Sequence, residues 1–313
     1  MRKILLATDG SRDAMRAAHY IARLYKGASD VEVTVLNISP AIPPLFREPG
    51  HGPAVHKQFA AWKKRRSEEA KGYFKEATQV FLDAGFRKSH IKTRYVQQVV
   101  GVARDIVREL DAGDFDACIV GKKGVGWIDD IFLGTITRKL IEISENHPLW
   151  LLDGKGTNSR RVLIAMDETP RAVEIARYVG RMLHGLSSVH LFFYHYCTPF
   201  TECLSPEERE QMKESEQEAV EMERLRMTQI SRKATEAVLE EGIDSKALKY
   251  EFQYDQSVRP KTVSQAILSK LKEEKCGTLV LGRKGFTAAR EFPIGSMARR
   301  TIAEAEDCGV WLL

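Results

Sequence analysis

The chain contains its own copy. Residues 3–24 open Lys3-Ile-Leu-Leu-Ala-Thr-Asp-Gly-Ser and continue in a helical pattern; residues 161–183 open Arg161-Val-Leu-Ile-Ala-Met-Asp-Glu-Thr-Pro and do the same. Asp9 and Asp167 align at an offset of 158, and in that frame Ala14 meets Ala172, Tyr20 meets Tyr178 and Arg23 meets Arg181. Late in each half, Cys118-Ile-Val-Gly-Lys-Lys-Gly with Gly134-Thr135 matches Leu279-Val-Leu-Gly-Arg-Lys-Gly with Gly295-Ser296 at an offset of 161. The closing runs 149–152 and 310–313 match at that same offset. A repeat of this length means two like units in tandem, each building its own core. The 313 residues agree with about two domains. The expected domains are 1–153 and 160–313, joined by the polar, Gly-rich stretch from Asp153 to Ser159.

Each unit alternates strand and helix. Residues 4–7 and 162–165 are short apolar runs, as in strands buried on both faces. Ser11 is the expected N-cap of the helix that follows in the first unit; Thr169, with Pro170 at the first helical position, is its counterpart. Strands are expected at 31–38 and 189–196, then long helices at roughly 54–84 and 206–241. The second of these opens with a capping box, Ser205-Pro-Glu-Glu208. Further strands near 91–96 and 246–252 lead to helices near 101–111 and 259–273 and strands at 117–120 and 278–281. A helix and a last strand complete each unit. This order predicts an α/β fold with a parallel sheet covered on both faces.

Composition narrows the class. Hydrophobic residues are 43% and charged residues 29%, which excludes global disorder. No apolar run approaches the ~20 residues of a spanning helix, and Asp9 interrupts the N-terminus too early for a signal peptide's apolar core. Five cysteines without CxxC spacing fit buried thiols in a reducing cytoplasm. The net charge of +5 does not by itself call for nucleic acid or a membrane surface. It is, however, unevenly spread. Residues 57–75 hold seven basic and two acidic side chains, whereas residues 207–223 hold two basic and eight acidic. These two long helices are expected to meet each other, or a partner, by charge complementarity.

The glycine pattern carries chemistry. Gly121-x2-Gly124-x9-Gly134-Thr135 starts where a strand ends and finishes where a helix starts, and Gly282-x2-Gly285-x9-Gly295-Ser296 repeats it. Glycine permits positive φ and a close approach to a ligand. A helix start offers free N–H groups and a positive dipole end suited to phosphate. Lys122, Lys123, Arg283 and Lys284 set cations beside the loops. Asp9 and Asp167 end the first strand of each unit, at the switch point where open α/β sheets bind ligands. A carboxylate there could hold a ribose hydroxyl or a hydrated metal ion. The spacing is neither the dinucleotide GxGxxG nor a Walker loop.

On these residues the chain resembles a tandem universal stress protein, over nearly its whole length. The resemblance implies two tandem five-stranded parallel sheets of order 3-2-1-4-5, like the adenine-nucleotide α-hydrolases. It also implies ATP binding, since family members with the glycines typically bind ATP and those without typically do not. Carried over residue by residue, Ala7, Thr8 and Asp9 resemble the segment around adenosine, and Ile38 the position whose backbone meets adenine. Gly121, Lys122 and Gly124 resemble the loop under ribose and phosphates, and Gly134, Thr135 and Ile136 the phosphate-binding helix start. The second set is Ala165, Met166 and Asp167, then Tyr196, then Gly282, Arg283 and Gly285, then Gly295, Ser296 and Met297. Tyr196 is bulky where a small aliphatic residue is usual. Trp127 follows the first loop, and Lys123 and Lys284 stand where His or Arg is common. The resemblance further implies pairing of the closing strands, here within one chain, with a possible homodimer of whole chains.

Other clusters read more plainly. His190, His195, Cys197 and Cys203 have no second ligand pair with finger-like spacing, so they are read as core or edge residues. Lys63-Lys64-Arg65-Arg66 is read as a solvated helix face. No catalytic residue is assigned. The expected function is a cytoplasmic, ATP-binding regulatory protein of the stress response, with Mg²⁺ on the phosphates and at most slow hydrolysis. The alternatives are a partner-binding module that does not use nucleotide and, third, an enzyme of adenylate chemistry.

Overall fold

A computed structural model of the chain describes residues 1–47, 52–123, 133–154, 159–198, 205–257, 261–285 and 293–313. It divides into two compact units, Met1–Lys155 and Gly156–Leu313.

In the first unit β1 (Arg2–Ala7) leads through α1 (Arg12–Leu24) to β2 (Val31–Ile38). Then come α2 (Pro53–Asp83), β3 (Ile91–Val96), α3 (Val102–Gly113), β4 (Ala117–Gly121), α4 (Thr135–Ile143) and β5 (Leu149–Leu152). The strands lie in the order β3-β2-β1-β4-β5, and the ladders among them are parallel, Ile4 facing Val33 on one side and Ala117 on the other. β1 sits in the middle, which is why Ile4, Leu5 and Leu6 are fully buried. Ser11 caps α1 as expected, its side chain accepting from the N–H of Ala14.

The second unit runs β6 (Arg161–Ala165), α5 (Arg171–Leu183), β7 (His190–Cys197), α6 (Pro206–Gln211) and α7 (Lys213–Glu240). It continues with β8 (Leu248–Tyr254), α8 (Val263–Glu273), β9 (Thr278–Leu281), α9 (Ser296–Glu304) and β10 (Gly309–Leu312). The order β8-β7-β6-β9-β10 is the same arrangement. The long helix expected over 206–241 is broken at Met212, and its capping box at Ser205 and Glu208 is present. Thr169 departs from expectation. Pro170 stands at the N-cap of α5 and makes no side-chain cap; the Thr169 hydroxyl donates instead to Asp167 Oδ1 at 2.6 Å.

The duplication reaches the core packing. Tyr20 meets Trp150 edge-on, with ring centroids 6.4 Å apart. Tyr178 meets Trp311 the same way at 6.3 Å. Both tryptophans are fully buried on their units' last strands, and an edge-to-face pair adds about 0.5–1.5 kcal/mol beyond the area it buries. Among the described residues no helix is long and apolar enough to cross a membrane.

Candidate functional site

In the first unit the ends of β1 and β4 line a cavity of about 440 Å³, within the range of small-molecule sites. Ala7, Thr8, Asp9, Ile38, Gly121, Gly134, Thr135 and Ile136 all line it. The turn between β1 and α1 is closely held. The Thr8 N–H extends the ladder to the Leu36 carbonyl at 2.8 Å, and Asn37 Nδ2 donates to the Thr8 carbonyl at 2.7 Å. Asp9 Oδ1 accepts from the Ser11 N–H at 2.9 Å. Gly10, at φ +76°, lies under the Tyr73 ring, where a Cβ would fall 2.2 Å from Cε1. Both its backbone conformation and its cover require glycine.

The glycines do different work from the positive φ expected of them. Gly134 is the N-cap of α4 in extended backbone, φ −63° and ψ 147°. No side chain caps this helix, and its first residues, Thr135, Ile136 and Thr137, line the cavity; an uncapped helix start is the kind of place that suits an anion. Gly121 is needed for packing. A Cβ there would lie 2.8 Å from Asp13 Cβ and 2.9 Å from the Asp13 carbonyl carbon, so α1 rests directly on the end of β4. Thr137 Oγ1 ties α4 to that same strand end, donating to the Gly121 carbonyl at 3.0 Å.

The two lysines of the loop part company. Lys122 is buried, and its Nζ donates to Asp153 Oδ2 at 3.2 Å. Its backbone is bonded on both sides, its N–H to Leu152 and its carbonyl to the N–H of Gly134 at 2.9 Å. Lys123 lines the cavity instead. Gly124 and Trp127 lie outside the described residues. Pro40, Gln98, Val102 and Ile106 also form the wall, and sequence reasoning missed them. The signal was there, since Pro40 follows β2, Gln98 follows β3 and Val102 and Ile106 open the helix after β3, on the side where open α/β sheets bind ligands.

Residues 1–149 and 158–312 each match the sequence model of the universal stress protein family. The chain belongs to the universal stress protein family. The fold agrees. A universal stress protein from Archaeoglobus fulgidus DSM 4304 is similar at a TM-score of 0.62 and 18% identity, over 99% of this chain and 97% of that one. A functionally unknown protein from Pseudomonas aeruginosa PAO1 is similar at a TM-score of 0.53 and 16% identity, over 100% and 92%. At such identities the likeness concerns the fold alone. No curated protein matches the chain.

The second universal stress protein unit repeats the frame with other contents. Ala165 ends β6, and the Met166 N–H donates to the Tyr194 carbonyl at 2.9 Å. Asp167 is engaged with Thr169, and a Cβ on Gly285 would sit 3.6 Å from Asp167 Oδ2, so the loop and the strand end are close. Gly282 is less confined than Gly121, its nearest neighbour being the mobile tip of Ile175 at 3.3 Å. Arg283 is buried like Lys122, and its carbonyl accepts from the Gly295 N–H at 2.7 Å. Gly295 caps α9 in extended backbone, leading into Ser296 and Met297. Tyr196, where the first unit has Ile38, is buried and donates its hydroxyl to Asp255 Oδ2 at 2.6 Å. That bond helps hold the Asp255 carboxyl well below the usual carboxylate range.

Beside Tyr196, His195 takes the place of Asn37. Its Nδ1 lies 2.9 Å from the Met166 carbonyl and its Nε2 2.6 Å from Glu223 Oε1 on α7. Cys197 Sγ donates to the other oxygen of Glu223 at 3.3 Å. Burial and the Glu223 charge push the Cys197 thiol up to about 12. His195 and Cys197 thus share a partner on a neighbouring helix. Among the described residues no group of three His, Cys, Asp or Glu side chains could hold a metal ion. Cys203 lies outside the described residues.

Proposed function

We propose that the protein is a stress-response regulator that binds ATP, in the first unit foremost. The reading rests on one observation, the cavity at the switch point of the first unit. One end of it is apolar, with Ile38, Pro40, Val102 and Ile106, and suits a purine. The other end joins the uncapped start of α4, the Thr135 hydroxyl and Lys123, a donor set of phosphate-binding type. Asp9 lines the same cavity and is read as the partner of a ribose hydroxyl or a hydrated Mg²⁺. Among the described lining residues it is the only carboxylate, and it already accepts from Ser11. We therefore infer binding with slow hydrolysis at most, since among the described lining residues no second carboxylate or histidine accompanies Asp9. The second unit is read as a weaker ATP site, because the Tyr196 ring and its tie to Asp255 stand where Ile38 leaves room. A cytoplasmic location belongs to the same reading, supported by four buried free thiols.

Titration calorimetry with ATP and Mg²⁺ tests this. Thr135 is exposed at the first position of α4, where an acidic side chain favours the helix. Thr135→Glu should therefore fold normally and weaken ATP binding by about tenfold or more through like-charge repulsion. Wild-type protein that neither releases heat nor gains thermal stability with ATP would overturn the proposal and leave the partner-binding reading.

A further inference from the structure

The second unit has a cavity of its own, at the end of its sheet where β7 and β8 begin and Tyr196 is far away. The loops before these two strands border about 370 Å³, within the range of small-molecule sites. His184 ties the two walls together. It follows α5 directly, and its Nδ1 donates to the carbonyl of Glu241, which follows α7, at 2.7 Å.

The duplication provides an internal control for this cavity. The strand registers fix the matching positions: Lys3 faces Glu32 as Arg161 faces His190, and Thr34 faces Lys92 as Phe192 faces Lys249. In the first unit two carboxylates stand at this end. Asp30 pairs with Arg2 at 2.5 Å, and Glu32 with Lys92 at 2.7 Å. In the second unit Ser188 holds the place of Asp30, and His190 that of Glu32. Arg160, the counterpart of Arg2, donates to the carbonyl and hydroxyl of Ser187 at 3.1 and 3.3 Å. Lys249, the counterpart of Lys92, turns to Glu274 at 2.5 Å. A hydroxyl and an imidazole thus replace two acids.

The apolar side changed as well. In the first unit Phe86 packs on Phe81, with ring centroids 5.3 Å apart. The Phe86 N–H donates to the Phe81 carbonyl, and the Ile243 N–H donates to Val238 in the same way. Two rings have become two smaller aliphatic side chains, and Ile243 lines the cavity with Leu186 and Val189. Ser188, His190 and Lys246, all exposed, supply polar donors to the same lining. Asp244 is the only carboxylate among the described lining residues, and its Oδ1 accepts from the Lys246 N–H at 2.8 Å.

We propose that this cavity binds a small carboxylate with an apolar body. The carboxylate lies on the side of Ser188, His190 and Lys246, where charge-assisted hydrogen bonds are available. The body lies against Leu186, Val189 and Ile243, which select it over a bare inorganic anion.

Amide NMR of the isotope-labelled full chain, titrated with hexanoate, tests this. Hexanoate should shift the resonances of residues 185–190 and 242–247 along a saturating curve. Hexan-1-ol, which lacks the charge, and inorganic phosphate, which lacks the body, should bind about tenfold more weakly or less. Ser188→Asp/His190→Glu restores the acids of the first unit. Ser188 lies at φ +57°, a conformation that Asp adopts, so this variant should fold and lose about tenfold or more in hexanoate affinity. Ile243→Phe puts the first unit's ring into the cavity and should lose as much. Thermal melts near that of wild type show that the variants are folded. No saturating shift at these residues, equal binding of hexan-1-ol or phosphate, or affinity unchanged in the folded variants would overturn the proposal.

Discussion

His195 joins two elements through Glu223: one ring nitrogen faces the Met166 carbonyl at the end of β6, and the other lies 2.6 Å from the Glu223 carboxylate on α7. A carbonyl only accepts, so Nδ1 donates. Burial alone would raise the Glu223 carboxyl. Hydrogen bonds from His195 and Cys197, with the charges of His195 and Arg226, outweigh it and hold the carboxyl below the usual range. The first unit makes the equivalent tie with Asn37, an amide that reaches Thr8 and carries no charge.

A depressed carboxyl stabilises the fold above its unfolded pKa, and the contribution is lost as pH falls through the folded value. Glu223→Gln should thus cost about 2 kcal/mol near neutrality. The difference from wild type should shrink to nothing in strong acid. Denaturant unfolding at a series of pH values measures it, and a pH-independent difference would count against the ion pair. His195→Asn should keep the bond to Met166, as Asn37 does in the first unit, and lose the same pH dependence.

The two strand-end glycines should respond unequally to one added methyl. Gly121→Ala drives a Cβ into the backbone of α1, and such overpacking costs about 1–3 kcal/mol. Gly282→Ala meets only the tip of Ile175, which can turn aside, so its effect should stay below about 1 kcal/mol. Thermal melts of the two variants compare them directly; equal losses would contradict the close packing of α1 on β4.

On the proposed function, Tyr196 limits the second site, since it stands where the first unit has Ile38. Replacing it by the first unit's residue, Tyr196→Ile, should strengthen ATP binding in the second unit by roughly tenfold. The first site should be unchanged. Calorimetry on the Thr135→Glu background isolates that effect. An unaltered second site would show that Tyr196 does not limit access.

Native cysteines should be inert. Burial pushes the thiols of Cys118, Cys197 and Cys276 up to about 12, and Cys308 is buried too. Since the thiolate is the reactive form, a thiol reagent at mildly alkaline pH should label these four only after unfolding. Peptide mapping of the labelled protein identifies each one.

Much of the fold was legible because strands and helices leave periodic traces and because the chain states the pattern twice. Asp9 with Asp167, Tyr20 with Tyr178 and the two glycine frames align by number alone, and the structure puts Asp9 with Asp167, Tyr20 with Tyr178, Gly121 with Gly282 and Gly134 with Gly295 at equivalent places. The lining of the first unit's cavity was legible at the ends of β1 and β4 and the start of α4. It was not legible where a side chain chooses between two directions. Lys122 and Lys123 are adjacent cations, yet one is drawn inward to Asp153, 31 residues away, while the other lines the cavity.

Duplication and the alternation of strand and helix therefore followed from sequence alone, since periodicity and repetition are local, one-dimensional properties; the strand order came with the family resemblance. Tertiary structure decided what each glycine is for, which lysine meets the cavity and what Tyr196 and His195 hold. Those depend on partners such as Asp13, Asp153, Asp255 and Glu223, which only folding brings within hydrogen-bond or contact distance.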